Sequence, residues 1–354
     1  MNEILHERPG VYSVYDASAA VSGGRAAKVI GVAAKAAKGV ENQAVTLTGY
    51  AAGIAAFGED AGSAGMAAVL RLLFANGASS VVAVRVGGEG LKADYLAAFE
   101  SLGTQNVQVV VCDSPELEIQ QELRNAVLTA SGLRKERIAV VGGDGDSVEE
   151  LVQRAKELNS ERMVLVGPDA LDASGNPIAG VFAAAALAAV IASGRDPAVP
   201  LNGAEIKGFT GLTTDYSDND IDTLVRGGVT PLECAAGVVS PVRGVTTRTT
   251  SGGAADTTWR ELTTILIADD VIPAVRDVLR AKFSRCKNTA RSRAAIRSQV
   301  IVELERKLAA EVIDGYDEVS VSASPDDPGV CLVEFGFSVA HGLNQIYLTV
   351  HITV

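Results

Sequence analysis

Histidine is nearly absent from this chain of 354 residues. His6, His341 and His351 are the only three, all near the two ends. A Ser-His-Asp triad, or a metal held by imidazoles, is therefore excluded from the central part of the chain by composition. Cysteine is sparse and scattered. Cys112, Cys234, Cys286 and Cys331 form no C-x-x-C pair, which suits buried thiols in a reducing compartment rather than a disulfide or zinc framework. Long apolar runs are missing too: the longest, residues 181–192, suits a buried helix and is too short to span a bilayer. The first ten residues, MNEILHERPG, are polar and charged, so no signal peptide is expected. Net positive charge is lacking. At −12, the molecule as a whole is no nucleic-acid binder by bulk electrostatics. Internal repeats and low-complexity tracts do not occur.

What is present is an Ala- and Gly-rich globular chain, long enough for a sizeable core. Short apolar runs at 27–33, 80–86, 107–112, 137–141 and 163–166 read as strands. Residues 48–57, 61–76, 89–102, 115–133, 147–158 and 178–193 read as helices, with Gly103 expected to stop the third. Met66, Val69, Leu70, Leu73 and Phe74 share one helical face. Regular alternation of strand and helix predicts a mostly parallel sheet with helices on its faces. Residues 202–258 are dense in turn formers and read as loops and small strands closing that unit. Helical spacing returns over 261–285, where Pro273 either starts a second helix or kinks the first, and over 292–313. In the latter Ile296, Val300, Leu304 and Leu308 are spaced by four, and Gly315 is expected as the stop. Two strands, 318–324 and 330–339, follow around a Pro-Asp-Asp-Pro-Gly turn. The fold class expected is α/β, with a mostly parallel sheet core, flanking helices, a smaller α+β C-terminal domain and extended terminal arms. The expected division is an arm at 1–22, a core at 23–258, a C-terminal domain at 259–344 and a strand or arm at 345–354.

Three carboxylates, Asp113, Asp144 and Asp169, directly follow expected parallel strands. Ligands of open α/β sheets bind at that end, and three acids there could hold Mg²⁺ in a hydrolase. The alternative is that they cap the helices that follow. No base or nucleophile accompanies them. Residues 142–147, GGDGDS, sit between strand and helix as phosphate loops do. They lack both G-x-G-x-x-G spacing and a Gly-Lys-Ser/Thr ending, so a turn is the better reading.

Charge is segregated. Arg276, Arg280, Lys282, Arg285, Lys287, Arg291, Arg293 and Arg297 share residues 276–297 with one acid, Asp277. That segment carries +7, which leaves −19 on the rest of a chain of net −12. Solvated helix faces normally mix signs, so one-sign clustering points to docking on an acidic surface. Without interleaved aromatics or a recognised motif, a protein partner is favoured over nucleic acid.

Both ends look extended. Pro9 and Gly10 disfavour helix, and Val11, Tyr12 and Val14 open a strand-like stretch that Ser22-Gly23-Gly24 separates from the core. At the other end Ile346, Leu348, Val350, Ile352 and Val354 alternate with polar residues. Ordering a terminus costs entropy, so a strong strand pattern there implies something that pairs with it.

In these parts and their order the chain resembles the tail sheath proteins of contractile phage tails and related phage-tail-like particles. The residues that carry the resemblance are ERPGVY at 7–12, KVIGVA at 28–33, Phe57-Gly58, FANG at 74–77, and Trp259-Arg260. Lys282-Phe283, Lys287-Asn288-Thr289, the stretch SRAAIRSQVIVELERKL and the closing IYLTVHITV continue it. The resemblance implies a structural subunit that stacks in hexameric rings around an inner tube and contracts to drive the tube through a target envelope. It implies terminal arms that complete a small sheet in a neighbour, and a basic segment that faces an acidic tube. The partners implied are other copies of the chain, the tail tube protein, a baseplate and a tail terminator, with no membrane and no direct nucleic-acid contact. No catalytic residue, cofactor or metal is implied. The location implied is the tail of a virion or related particle, assembled in the bacterial cytoplasm.

Overall fold

The computed structural model describes residues 28–59 and 65–344. Its strands are β1 (Ile30–Ala34), β2 (Ala44–Leu47), β3 (Val81–Arg85), β4 (Val109–Cys112), β5 (Ile138–Gly142), β6 (Met163–Gly167), β7 (Ala170–Leu171), β8 (Pro177–Ile178), β9 (Gly211–Leu212), β10 (Val229–Ala235), β11 (Val238–Pro241), β12 (Thr250–Ser251), β13 (Ala254–Ala255), β14 (Ile313–Tyr316), β15 (Ser320–Ala323), β16 (Cys331–Glu334) and β17 (Phe337–Val339). Its helices are α1 (Tyr50–Phe57), α2 (Met66–Ala75), α3 (Lys92–Thr104), α4 (Leu117–Gly132), α5 (Val148–Leu158), α6 (Gly180–Ser193), α7 (Asp218–Arg226), α8 (Leu262–Phe283) and α9 (Ala290–Ala309).

Eight strands form the main sheet in the order β11-β10-β6-β5-β4-β1-β3-β2. The six inner strands are parallel, and the edge strands β2 and β11 are antiparallel to their neighbours. Side chains alternate between two cores. Ile30, Val32, Val109, Val111, Ile138 and Val140 meet α1, α2 and α6 on one face. Ala33, Val110, Cys112, Ala139, Val141 and Leu165 meet α3, α4, α5 and α7 on the other. With both faces covered, these strands read as unbroken apolar runs, which is why the sequence reveals them.

Helix α6 is the most buried of the described helices: only Val190 and Ser193 of its residues are not buried. It lies against the sheet because Gly142 and Gly180 meet backbone to backbone. A Cβ on Gly142 would stand 2.1 Å from the Gly180 carbonyl carbon.

Several expectations are corrected. Residues 202–258 are more than loops and small strands. They supply α7 and the strands β10 and β11, which extend the main sheet beyond β6. Strand β2 was hidden because its four residues carry one fully buried side chain, Leu47. Gly103 does not stop α3, which runs on to Thr104. Pro273 lies inside a continuous α8. Helix α9 ends at Ala309, and Gly315 belongs to strand β14 rather than to a helix stop. The run 330–339 is two strands, broken at Phe335 and Gly336. β16 pairs with β15, and β17 pairs with β14.

Helix α8 joins the two parts of the molecule. Leu262, Ile265 and Leu266 pack into the first core of the main sheet. Ile267, Val271 and Val275 enter a third core with Val300 and Leu304 of α9 and with Val312, Ile313 and Val319.

Candidate functional site

The basic residues converge on an elbow between α8 and α9. Thr289 caps α9, its hydroxyl accepting from Ser292 N at 3.1 Å. Asn288 ties the elbow down: its side-chain amide donates to Pro328 O at 2.8 Å and to Val330 O at 3.0 Å, in the turn before β16. Its Oδ1 accepts from Arg293 at 2.9 Å.

The eight cations then separate by partner. Arg276 is committed to the main body through an ion pair with Glu136 at 2.6 Å. The Glu136 hydrogen bond raises the Arg276 pKa. Burial pushes the Glu136 carboxyl up, and the hydrogen bond and charge of Arg276 outweigh it, so its pKa is lowered. Arg297 donates to Val319 O at 2.8 Å and lies 3.6 Å from Glu318. Lys282 donates to Gln299 at 2.6 Å. Arg280, Arg285, Lys287 and Arg291 are exposed and make no side-chain hydrogen bond or ion pair among the described residues.

Helix dipoles sharpen this picture. Arg280 and Lys282 occupy the last turn of α8, where cations are favoured. Arg291 sits in the first turn of α9, which holds no acid, and there a cation opposes the dipole. Its position gains nothing from the helix dipole.

The three carboxylates that follow strands form no common site: Asp169 is raised by burial first and also by the nearby Asp144 charge, while Asp113 is hydrogen-bonded elsewhere. Asp113 is buried and accepts from the Tyr95 hydroxyl at 2.5 Å and from Lys35 N at 3.0 Å. Burial raises its pKa against those two bonds, and the Tyr95 phenol is raised as well, by burial first and then by the Asp113 charge. Asp144 is exposed. Asp169 accepts from Gly180 N at 2.8 Å, capping α6, and from Gly145 N at 2.6 Å. Among the described residues no three His, Cys, Asp or Glu side chains are placed to hold a metal ion. The GGDGDS segment is a turn whose helix end is already occupied. Glu150 accepts from Ser147 N, Ser147 accepts from Glu150 N, and Asp146 pairs with Arg154 at 2.9 Å.

The small strands form a second feature. β14–β17 and β15–β16 are separate two-stranded sheets, and no residue of β15, β16 or β17 is buried. Such pairs are marginal alone and gain from a further strand. The arm residues Pro9, Gly10, Val11, Tyr12 and Val14, and Ile346, Leu348, Val350, Ile352 and Val354, lie outside the described residues. So do His6 and His351.

Sequence reasoning missed the anchoring role of Asn288, whose signal was an Asn-Thr pair just before a helix. It also missed Glu136, because the partner of Arg276 lies 140 positions away and no local pattern marks it.

A family model of the phage tail sheath protein central domain matches residues 89–247, and one of the phage tail sheath C-terminal domain matches residues 254–353. The chain belongs to the phage tail sheath family. A tail sheath protein of Bacillus phage SP01 is 26% identical over 266 residues, which is 73% of this chain and 45% of that protein. The match thus spans less than half the length of that curated relative. Among solved structures, the contracted helical sheath of the anti-feeding prophage shares the fold at a TM-score of 0.72 and 15% identity, covering 98% of this chain and 99% of that one. The sheath of an extracellular contractile injection system in its contracted state gives 0.73 at 15% identity, covering 99% of both chains. A sheath tail protein from Listeria innocua gives 0.72 at 12% identity, covering 91% of this chain and 98% of that one. No helix among the described residues is long and apolar enough to cross a membrane.

Proposed function

We propose that this sheath-family chain is the contractile subunit of a phage tail or phage-tail-like particle, with a structural rather than catalytic role. It polymerises as stacked rings around an inner tube and contracts to drive that tube through a target envelope. The elbow of Arg280, Arg285, Lys287 and Arg291 docks on an acidic tube, while Arg276 holds the subunit's own two parts together. The observation that carries the reading is this set of four exposed cations without partners among the described residues, on a chain whose remainder is strongly acidic.

The arms at 1–22 and 345–354 link subunits by adding strands to the small sheets of a neighbour's 259–344 unit. Strand addition draws affinity from main-chain hydrogen bonds and register from alternate side chains. Several arms per subunit raise the effective concentration, so the lattice persists while subunits move. The subunit also meets baseplate and terminator proteins at the ends of the sheath, and assembly takes place in the bacterial cytoplasm. The test is removal of residues 345–354. The truncated chain should stay soluble and folded yet form no tubes in negative-stain images. Tubes like those of the intact chain would overturn the proposal.

A further inference from the structure

A recess of about 490 Å³ opens where residue 344 leaves the body, lined chiefly by Arg243, Arg260, Glu261, Thr263, His341 and Asn344. Its walls are fixed by backbone. Leu262 N donates to Gly244 O at 3.2 Å and Thr246 N to Arg260 O at 2.9 Å, which holds the two arginine-bearing segments side by side. The third wall, 341–344, is held by the Asn202 amide donating to Asn344 Oδ1 at 3.0 Å. Gly342 presses against Pro200 so closely that a Cβ there would lie 2.9 Å from the ring.

The charges in this recess do not balance. Glu261 is its one carboxylate, and Arg243 claims it at 2.5 Å. Arg260 reaches the same oxygen only through Nε at 3.9 Å, and its guanidinium makes no hydrogen bond among the described residues. Its side chain is 28% exposed and lines the recess. A planar guanidinium with free parallel donors matches a carboxylate in a two-point grip, and Thr263 and Asn344 add neutral polar groups around it.

We propose that this recess is an oxyanion site that seats an acidic side chain from a second copy of the chain, gripped by Arg260. The occupant follows from charge: outside residues 276–297 each copy carries −19, so carboxylates are what a neighbour offers. The recess also stands at the root of 345–354, the segment proposed to reach that neighbour. The occupant rests on the self-assembly reading, whereas the anion grip does not.

The full chain serves for both arms of the test. In the first, the soluble subunit is titrated with succinate while the His341 ring resonances, assigned with His341→Gln, are followed by NMR. In the second, tube formation is followed by light scattering. Wild type should show a saturable shift. Arg260→Gln should weaken succinate binding by about tenfold, as expected for a lost charge-assisted bond, and slow assembly with an unchanged thermal midpoint. Arg260→Lys, which keeps the charge and loses the fork, should fall between them. No succinate response in wild type overturns the site. Succinate binding with wild-type assembly of Arg260→Gln overturns the second copy as occupant. A wild-type chain that never forms tubes overturns the sheath reading and the occupant together, while a succinate response would still uphold the grip.

Discussion

Arg162 and Asp269 meet fork to fork across 107 positions of sequence: one nitrogen of the guanidinium lies 2.7 Å from Oδ2 and the other 2.9 Å from Oδ1. Asp269 is on α8 and Arg162 immediately precedes β6, so the pair fastens the connecting helix to the main sheet. Both side chains are largely buried, at 13% and 17% exposure. Removing one partner strands a desolvated charge, whereas replacing both with apolar groups does not. Asp269→Ala should therefore lower unfolding free energy by about 3–5 kcal/mol, and Arg162→Met with Asp269→Leu should recover most of it. Urea denaturation of the single and double variants checks this.

The elbow should separate binding from stability. Changing Arg280, Arg285, Lys287 and Arg291 together to Gln should move stability by no more than about 0.5 kcal/mol. The Arg291 change should be mildly stabilising, since it removes a cation from a helix N-terminus. Co-sedimentation with tube protein should be lost. Arg276→Gln should do the opposite, costing about 1–3 kcal/mol through the stranded Glu136 while leaving more of the tube binding.

Two glycines with opposite surroundings test the packing argument. Gly142→Ala drives a methyl into the Gly180 backbone and should cost upward of about 4 kcal/mol or prevent folding. Gly103 lies inside α3 with nothing within 4 Å of an added Cβ, so Gly103→Ala should stabilise by about 0.4–1 kcal/mol. Denaturant midpoints on the two variants decide.

Asp113 makes a pH prediction. Burial, opposed by the Tyr95 and Lys35 bonds, raises its folded pKa above the ordinary 3.8. A raised pKa means the folded chain holds the proton more tightly than the unfolded one. The resulting stabilisation is full below pH 3.8 and is lost as pH rises through the folded value. Asp113→Asn removes that dependence. The stability of wild type relative to the variant should fall as pH rises from 3.5 towards neutrality, as measured by chemical denaturation at each pH.

Legibility followed burial and locality. The inner strands were readable because both faces are covered, which leaves runs such as VVVC at 109–112 with no polar break. Helix α9 was readable from Val300 and Leu304 on one stripe. Strand β10 was obscured because Pro231 and Glu233 interrupt a run that only its neighbours β6 and β11 make a strand. Continuous β pattern over 330–339 concealed a change of partner, because alternation records which face a residue takes and not which strand lies beside it. The basic segment was legible as charge, while its division into Arg276, paired with Glu136, and four cations without a partner among the described residues was not.

By itself, then, the sequence determined the α/β layering, the one-sign charge block at 276–297 and the absence of histidine from the central chain, because periodicity and composition are local properties. Tertiary structure alone decided that Asp113, Asp144 and Asp169 build no metal site among the described residues, that Glu136 takes Arg276 and that Arg243 holds Glu261 at 2.5 Å while Arg260 reaches it only at 3.9 Å. Those outcomes depend on contacts between residues tens to more than a hundred positions apart, and chain folding, not neighbouring sequence, sets those distances.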